Sequence, residues 1–161
     1  MAIAILFPAD SGEPLTVHDY RSLTHYRSAL GGDIEIVPAG CRNLSFVSRE
    51  AAAPAERPIN VRATVLWWLH VPGVRNREIL FGDVLLVGPV TPTGEVRDLP
   101  GAVEERLLAP ASYVVQTREP GDRQWHVTLV DLDSYIDAAT EALRLLVPGS
   151  VIDDVRVVQR S

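Results

Sequence analysis

The chain has 161 residues, 47% of them hydrophobic, and a formal net charge of −6 at pH 7. This composition excludes an intrinsically disordered chain, and the negative charge argues against a protein that binds mainly nucleic-acid phosphates. No apolar run reaches the roughly 18–20 residues of a membrane-spanning helix, and the single cysteine, Cys41, leaves no partner for an internal disulfide. We therefore predict a cytoplasmic protein without membrane contact. All 15 basic residues are arginines, which we attribute to a GC-rich coding sequence rather than to phosphate recognition.

The first part of the chain predicts two strands, a helix and two further strands. Apolar or alternating stretches bounded by turn residues place the strands at 2–7, 15–20, 33–38 and 43–49. Leu23, Tyr26 and Leu30 recur at helical spacing and stop at Gly31, which predicts an amphipathic helix between the second and third strands. The prolines of 51–59 predict a loop in that segment.

The rest of the chain predicts an alternation of helices and strands. Asn60 is a favourable N-cap for a helix over the residues that follow it, and 83–89 is a continuous apolar run typical of a strand buried on both faces. The segments 112–118 and 124–130 flank a turn signal and predict a hairpin. The other predicted elements are a short helix within 99–109, a helix over 134–147 and a strand at 154–159.

Together these elements predict an α+β fold with a mixed, mostly antiparallel sheet and three to four helices. We place a first domain at residues 1–110. Residues 111–161 form a C-terminal β-β-α-β extension, which we expect to pack on the first domain as one globular unit.

Four glycine-bounded patches resemble a known family when they are taken in order. They are LGGDIEIVPAG (30–40), INVRAT (59–64), FGDVLLVGP (81–89) and GEVRDLP (94–100). At this spacing they are similar to the phage- and plasmid-borne family called domain of unknown function 3846, over residues 1–108. The resemblance implies a small cytosolic protein encoded by mobile elements, and it supplies no catalytic residues.

Two adjacent tryptophans, Trp67 and Trp68, lie in the helix that begins after Asn60. Since a helix turns by about 100° per residue, adjacent side chains cannot share one face. A helical wheel predicts a core face that consists of Val61, Val65, Trp68 and Leu69. The same wheel places Trp67 on another side, together with Ala63 and His70. Two interpretations of Trp67 follow. In the one that we favour, because tryptophan is mostly buried, Trp67 packs in a second buried layer. In the other, it forms an exposed patch.

An exposed Trp67 would give the protein a contact surface for a protein partner or a ring-bearing ligand, and it would also favour a homodimer. The residues predicted to form this first candidate surface are Trp67, His70, Arg57 and Arg62.

A second candidate surface lies on the predicted C-terminal hairpin. The apolar residues of the two strands share a face only if the loop between them has an odd number of residues. They are Tyr113, Val115 and Thr117 on one strand and Trp125, Val127 and Leu129 on the other. The opposite, polar face is then a solvated sheet surface, or a surface that meets a partner or a phosphate. Its predicted residues are Gln116, Arg118, Gln124 and His126.

No spacing typical of a metal site or of a nucleophile–base pair occurs in the sequence. Asp131 and Asp133 lie two residues apart and could bind a divalent cation, but capping of the following helix explains them more simply. We therefore predict no metal and no cofactor.

These observations favour a non-enzymatic interaction or accessory protein of a phage or plasmid that binds a macromolecular partner, most readily another protein. Two alternatives stay open, a small-ligand or nucleotide-binding protein and an enzyme whose site the sequence does not reveal.

Overall fold

The computed structural model describes residues 2–20, 22–40, 43–50 and 57–160. The predictions for Cys41 and for the loop over 51–56 lie outside the described residues. The chain divides into two compact units, residues 1–104 and 105–161.

The first unit contains a five-stranded sheet. Its strands are β1 (Ala2–Phe7), β2 (Thr16–Tyr20), β3 (Ile34–Pro38), β4 (Ser45–Arg49) and β5 (Val84–Val87). The order across the sheet is β2-β1-β5-β4-β3, and each neighbouring pair is antiparallel. The apolar run at 83–89 therefore marks the central strand, and its burial does not come from a parallel arrangement.

Both faces of the central strand β5 are covered. Leu85 and Val87 belong to a cluster with Tyr26 and Leu30 of the first helix, α1 (Leu23–Leu30). The alternate residues of β5 point to the other face, and they too have no exposed surface. We assign the covering of that second face to α2 (Val61–His70), whose inward side is buried and which is anchored to the end of β1.

The start of α2 is fixed by a buried asparagine. The Asn60 side chain accepts a hydrogen bond from the Ala63 amide (3.1 Å), as the sequence predicts for an N-cap. Its amide nitrogen also donates to the carbonyl oxygens of Phe7 (2.7 Å) and Gly82 (2.9 Å). One side chain thus caps the helix and ties it to the end of β1 and to the turn before β5.

The second unit is a three-stranded sheet with a helix on one face. Its elements are β6 (Tyr113–Arg118), β7 (His126–Leu132), α4 (Tyr135–Arg144) and β8 (Asp154–Gln159). The third helix, α3 (Gly101–Leu108), spans the division between the units. The strand order is β7-β6-β8, with both pairs antiparallel. Tyr113 of β6 packs edge-on against Tyr135 of α4, with ring centres 5.5 Å apart.

The alanines of α4 explain how closely this helix lies on the sheet. Ala138, Ala139 and Ala142 have no exposed surface, and the side chain of Ser134 caps the helix by accepting from the Asp137 amide at 3.0 Å. The face of the sheet that α4 covers carries Tyr113 and the other buried residues of β6. We call the opposite side the outer face.

The predicted α+β fold is confirmed. Each element predicted within the described residues is present, with ends within a few residues of the prediction, and the two sheets are antiparallel between their assigned strands. Within the same residues, no helix has the length and apolar character that a membrane crossing requires.

Replacing Asn60 tests the anchoring of α2. Asn60→Ala removes three hydrogen bonds and leaves two buried carbonyl oxygens without this donor, so we expect a loss of about 3 kcal/mol in the free energy of unfolding. The control is Ser134→Ala, which removes a cap that is not fully buried and is expected to cost about 1 kcal/mol. Urea denaturation measures both values. Equal losses in the two variants would contradict the anchoring role of Asn60.

Candidate functional site

Trp67 belongs to the core of the first unit. The residue is 5% exposed, and its indole nitrogen donates a hydrogen bond to the carbonyl oxygen of Pro38 at 3.1 Å. The burial of Trp67 is therefore confirmed, but the ring lies on the inward face of α2 and not in the predicted second layer, and the exposed patch does not form around it.

The predicted core face of α2 holds for Leu69 but is wrong for Val61 and Trp68, and Val65 is half-buried. Val61 is 51% exposed, and Trp68 is half-buried with its indole nitrogen bonded to the carbonyl oxygen of Glu78 at 2.7 Å. The inward face instead consists of Ala63, Thr64, Leu66, Trp67 and Leu69. The helical wheel gave the angle between the side chains but not the side that faces the sheet. That side is set by Asn60, and polar Thr64 points inward with it because its hydroxyl accepts from the Leu80 amide (3.0 Å).

The other residues of the first candidate surface have structural contacts. Arg57 donates to the carbonyl oxygen of Arg49 at 3.2 Å, and Arg62 donates to the carbonyl oxygens of Pro8 and Asp10 at 3.0 and 3.1 Å. Burial lowers the pKa of Arg62, an effect that the nearby Asp10 carboxylate opposes.

These bonds hold Arg57 beside the end of β4 and Arg62 beside the loop after β1. His70, half-buried at the end of α2, also has an interaction within the fold. With Trp67 in the core, the four residues do not make up the predicted contact surface.

The second candidate surface is present in altered form, because the hairpin register differs from the expected one. Gln116 pairs with Val127, and Thr117 pairs with His126. Directly paired residues share a face of the sheet, so Val127 lies on the outer face with Gln116, whereas His126 lies across from buried Thr117.

Further along the hairpin the register changes. Between the pair Gln116–Val127 and the next pair, Val115–Leu129, β7 has one extra residue, so Leu129 lies opposite Val115. The predicted common apolar face therefore holds for Leu129 and fails for Trp125 and Val127.

Trp125 lies on the outer face in contact with two arginines. The Arg118 guanidinium lies 4.5 Å from the centre of the indole ring, and the Arg156 guanidinium lies 4.4 Å from it. Arg118 and Arg156 are on the neighbouring strands β6 and β8. A guanidinium at this distance from an indole is attracted by the electrons of the ring. We call these three residues the Arg–Trp–Arg stack.

Polar neighbours fix both guanidinium groups of the stack. Arg118 donates to the Asp154 carboxylate at 3.1 Å, and the Nε of Arg156 donates to the side-chain oxygen of Gln116 at 2.6 Å. The result is a surface of one indole and two hydrogen-bonded guanidinium groups at the turn end of the outer face.

Beside the stack, Asp122 and His126 form an exposed pair with 2.8 Å between Oδ2 and Nε2. The backbone N–H of Gln124 donates a hydrogen bond to the Asp122 carboxylate at 2.8 Å and is the main cause of the lowered pKa of this carboxyl. The bond to His126 lowers the pKa further. His126 therefore does not share the outer face with Gln116 and Arg118, and Gln124 contacts Asp122 through its backbone N–H. Trp125 and Arg156 were not predicted as residues of this surface, because only the strand register brings them together.

The first unit has a cavity of about 520 Å³ that is lined by Asn43, Pro89, Val96, Arg97, Asp98 and Pro100. Val96 also packs against the core cluster that contains Tyr26. The Tyr26 hydroxyl is buried and has no hydrogen-bond partner among the described residues. Burial, followed by the carboxylates of Asp98 and Asp19, raises the pKa of Tyr26 to about 12.

Within the described part of the chain, no group of three or more histidine, cysteine or acidic side chains is arranged to hold a metal ion. Asp131, one of the two aspartates considered for a cation, instead pairs with Arg160 at 3.2 Å.

Residues 3–110 match the family described as domain of unknown function (DUF3846). The chain belongs to this family. No curated protein and no solved structure matches it.

The DUF3846 match covers the elements that position Trp67, Asn60 and the cavity, and it ends before β6. The Arg–Trp–Arg stack therefore lies on a part of the chain outside the DUF3846 match. Membership in the family assigns no activity to either unit.

Replacing the two neighbouring tryptophans tests which of them is in the core. Trp67→Ala leaves a cavity and an unpaired carbonyl, so it should lower the free energy of unfolding by about 3–5 kcal/mol. Trp68→Ala removes a half-buried ring and should cost about 1–2 kcal/mol. Thermal and chemical denaturation measure the two losses, and the account is contradicted if the Trp68 variant is the less stable one.

Tyr26→Phe removes a buried hydroxyl that has no partner, so we expect a gain of about 1 kcal/mol in the free energy of unfolding at pH 7. The matched control, Tyr113→Phe, removes a hydroxyl that donates to the Arg106 carbonyl at 2.9 Å and should lose about 1 kcal/mol. A loss in Tyr26→Phe as large as in the control would contradict the absence of a partner.

The same variant gives a second readout in alkali. Tyrosine in an unfolded chain ionises near pH 10, whereas Tyr26 in the folded protein has a pKa of about 12. The free energy of unfolding that depends on a protonated Tyr26 hydroxyl is therefore fully present below pH 10 and is lost as the pH rises to 12. Tyr26→Phe should lose less stability over this interval than the wild type does, as measured by urea denaturation at each pH.

Proposed function

We propose that this DUF3846 protein is a non-enzymatic interaction protein of a phage or plasmid, and that it binds a protein partner through the outer face of its C-terminal sheet. The observation that supports this proposal best is the Arg–Trp–Arg stack, in which two guanidinium groups lie within 4.5 Å of the centre of the Trp125 indole. The proposal places the protein in the cytoplasm of the host cell.

The composition of the outer face supports a protein partner. Tryptophan and arginine are enriched among the residues that contribute most to protein–protein binding energy. Val127 lies on the same face and is 57% exposed, and Val130 of the same strand is 52% exposed. Aliphatic side chains beside an aromatic and two arginines fit an interface with an apolar centre and a polar rim.

The charges on this face favour a protein over a nucleic acid. Asp154 pairs with one arginine of the stack, and Asp122 lies at the end of the hairpin beside it. A phosphate backbone would approach both carboxylates, and the protein as a whole carries a net charge of −6.

The cavity of the first unit supports a second candidate function, the binding of a small polar ligand. Arg97, Asp98 and Asn43 line this cavity and offer a cation, an anion and an amide within a volume of about 520 Å³. This cavity and the outer face belong to different units of the chain.

A substitution on the outer face tests the proposed function. Val127→Glu places a charge on the face, whereas Val151→Glu is the matched control because Val151 is 68% exposed and lies outside the strands. Each full-length protein is immobilised, and the proteins that it retains from a host-cell lysate are compared quantitatively.

We expect the wild type and Val151→Glu to retain the same partner and Val127→Glu to lose it, with melting temperatures within about 2 °C of one another because surface substitutions change stability little. Equal retention by both variants, or no specific retention by the wild type at any salt concentration, would contradict the proposal.

A further inference from the structure

We infer that Arg156 is the anion-binding point of the outer face, and that the partner binds it with a carboxylate while an apolar side chain on the same side of the partner's chain contacts Val127. This inference rests on the proposed function and specifies the chemistry of the partner.

The two arginines of the stack differ in their charge balance. Arg118 is paired with the carboxylate of Asp154. Arg156 bonds through Nε to the neutral side chain of Gln116, and no carboxylate pairs with it among the residues that the structure describes. Arg156 therefore keeps an uncompensated charge.

The contacts of Arg156 also leave its best binding edge available. The guanidinium lies over the indole of Trp125, and its Nε–H donates a hydrogen bond to the side-chain oxygen of Gln116. The four N–H groups on the two terminal nitrogens lie in the plane of the guanidinium, and this arrangement matches the two oxygens of a carboxylate. Since stacking and the bond to Gln116 already fix the side chain, little conformational entropy is lost when an anion binds.

The strand register places an apolar contact at a defined distance from this edge. Gln116 pairs with Arg156 on one side and with Val127 on the other, so the three residues form one row across the outer face. Neighbouring strands are about 4.8 Å apart, so the backbone of Val127 lies about 10 Å from that of Arg156. A partner whose acidic and apolar side chains lie on the same side of its chain, within about 10 Å of each other, can contact both residues.

A single carboxylate fits this site better than a polyanion does. Asp154 and Arg156 are both on β8, two residues apart on the same face. A run of phosphates that extended from Arg156 along β8 would therefore meet the Asp154 carboxylate. A protein segment with one acidic side chain avoids this repulsion, and its apolar residue fills the contact at Val127.

The probes are two synthetic peptides of equal length. One has Glu and Val two positions apart between Ser spacers, so that an extended chain directs both side chains to the same side, with about 7 Å between their Cα atoms. The other has Gln in place of Glu. Each is titrated into the isotope-labelled full-length protein, and NMR follows the indole N–H of Trp125 and the Nε–H of Arg156.

We expect the acidic peptide to shift both resonances and the Gln peptide to leave them in place. Arg156→Gln should weaken binding of the acidic peptide about tenfold, because it removes a charge-assisted bidentate contact. The matched control is Arg144→Gln, which makes the same charge change at an exposed arginine of α4 and should leave the affinity unchanged.

Equal binding of the two peptides, or equal binding by Arg156→Gln and the wild type, would overturn the inference. So would a short oligothymidylate that shifts the same resonances at lower concentration than the acidic peptide does.

The two proposals fail in different ways. A lysate partner that depends on Val127 but is retained by Arg156→Gln would overturn this inference and leave the proposed function in place. An acidic peptide that binds at Arg156, in a protein that retains no partner dependent on Val127, would contradict the proposed function and support the anion site.

Discussion

The arrangement of the first unit depends on the three hydrogen bonds of one buried side chain, that of Asn60. Its oxygen caps α2, and its nitrogen bonds to two carbonyl groups, one at the end of β1 and one before β5. Because these carbonyl groups belong to different segments, the bonds fix which side of α2 faces the sheet. Trp67 is on that side and bonds to the Pro38 carbonyl, whereas Trp68 is on another side and is half-buried.

The sequence predicted the elements of this fold well, because their signals are local. Apolar runs located the strands, Gly31 ended α1 with a left-handed backbone conformation (φ of +82°), and Asn60 was recognised as a cap. The rotation of α2 could not be obtained in this way. Apolar residues occur around most of this helix, and the decisive contacts of Asn60 are with residues 53 and 22 positions away.

The residues of the outer face were likewise predicted where the signal is local and missed where it depends on strand pairing. Gln116 and Arg118 were predicted as exposed from strand alternation, which is a local signal. Trp125 and Val127 were placed on the wrong side, because the pairing next to the turn differs by one residue from the expected register, with Gln116 opposite Val127 and Thr117 opposite His126. Arg156 reaches the stack only through the pairing of β8 with β6, and no spacing in the sequence indicates that pairing.

The central claim is that Asn60 turns Trp67 into the core, whereas Trp125 is half-buried on the outer face of the second sheet. The most direct measurement is hydrogen–deuterium exchange of the three assigned indole N–H groups by NMR. The account predicts the slowest exchange at Trp67, whose N–H is bonded within the core, and much faster exchange at Trp125. Exchange at Trp67 as fast as at Trp125 would contradict it.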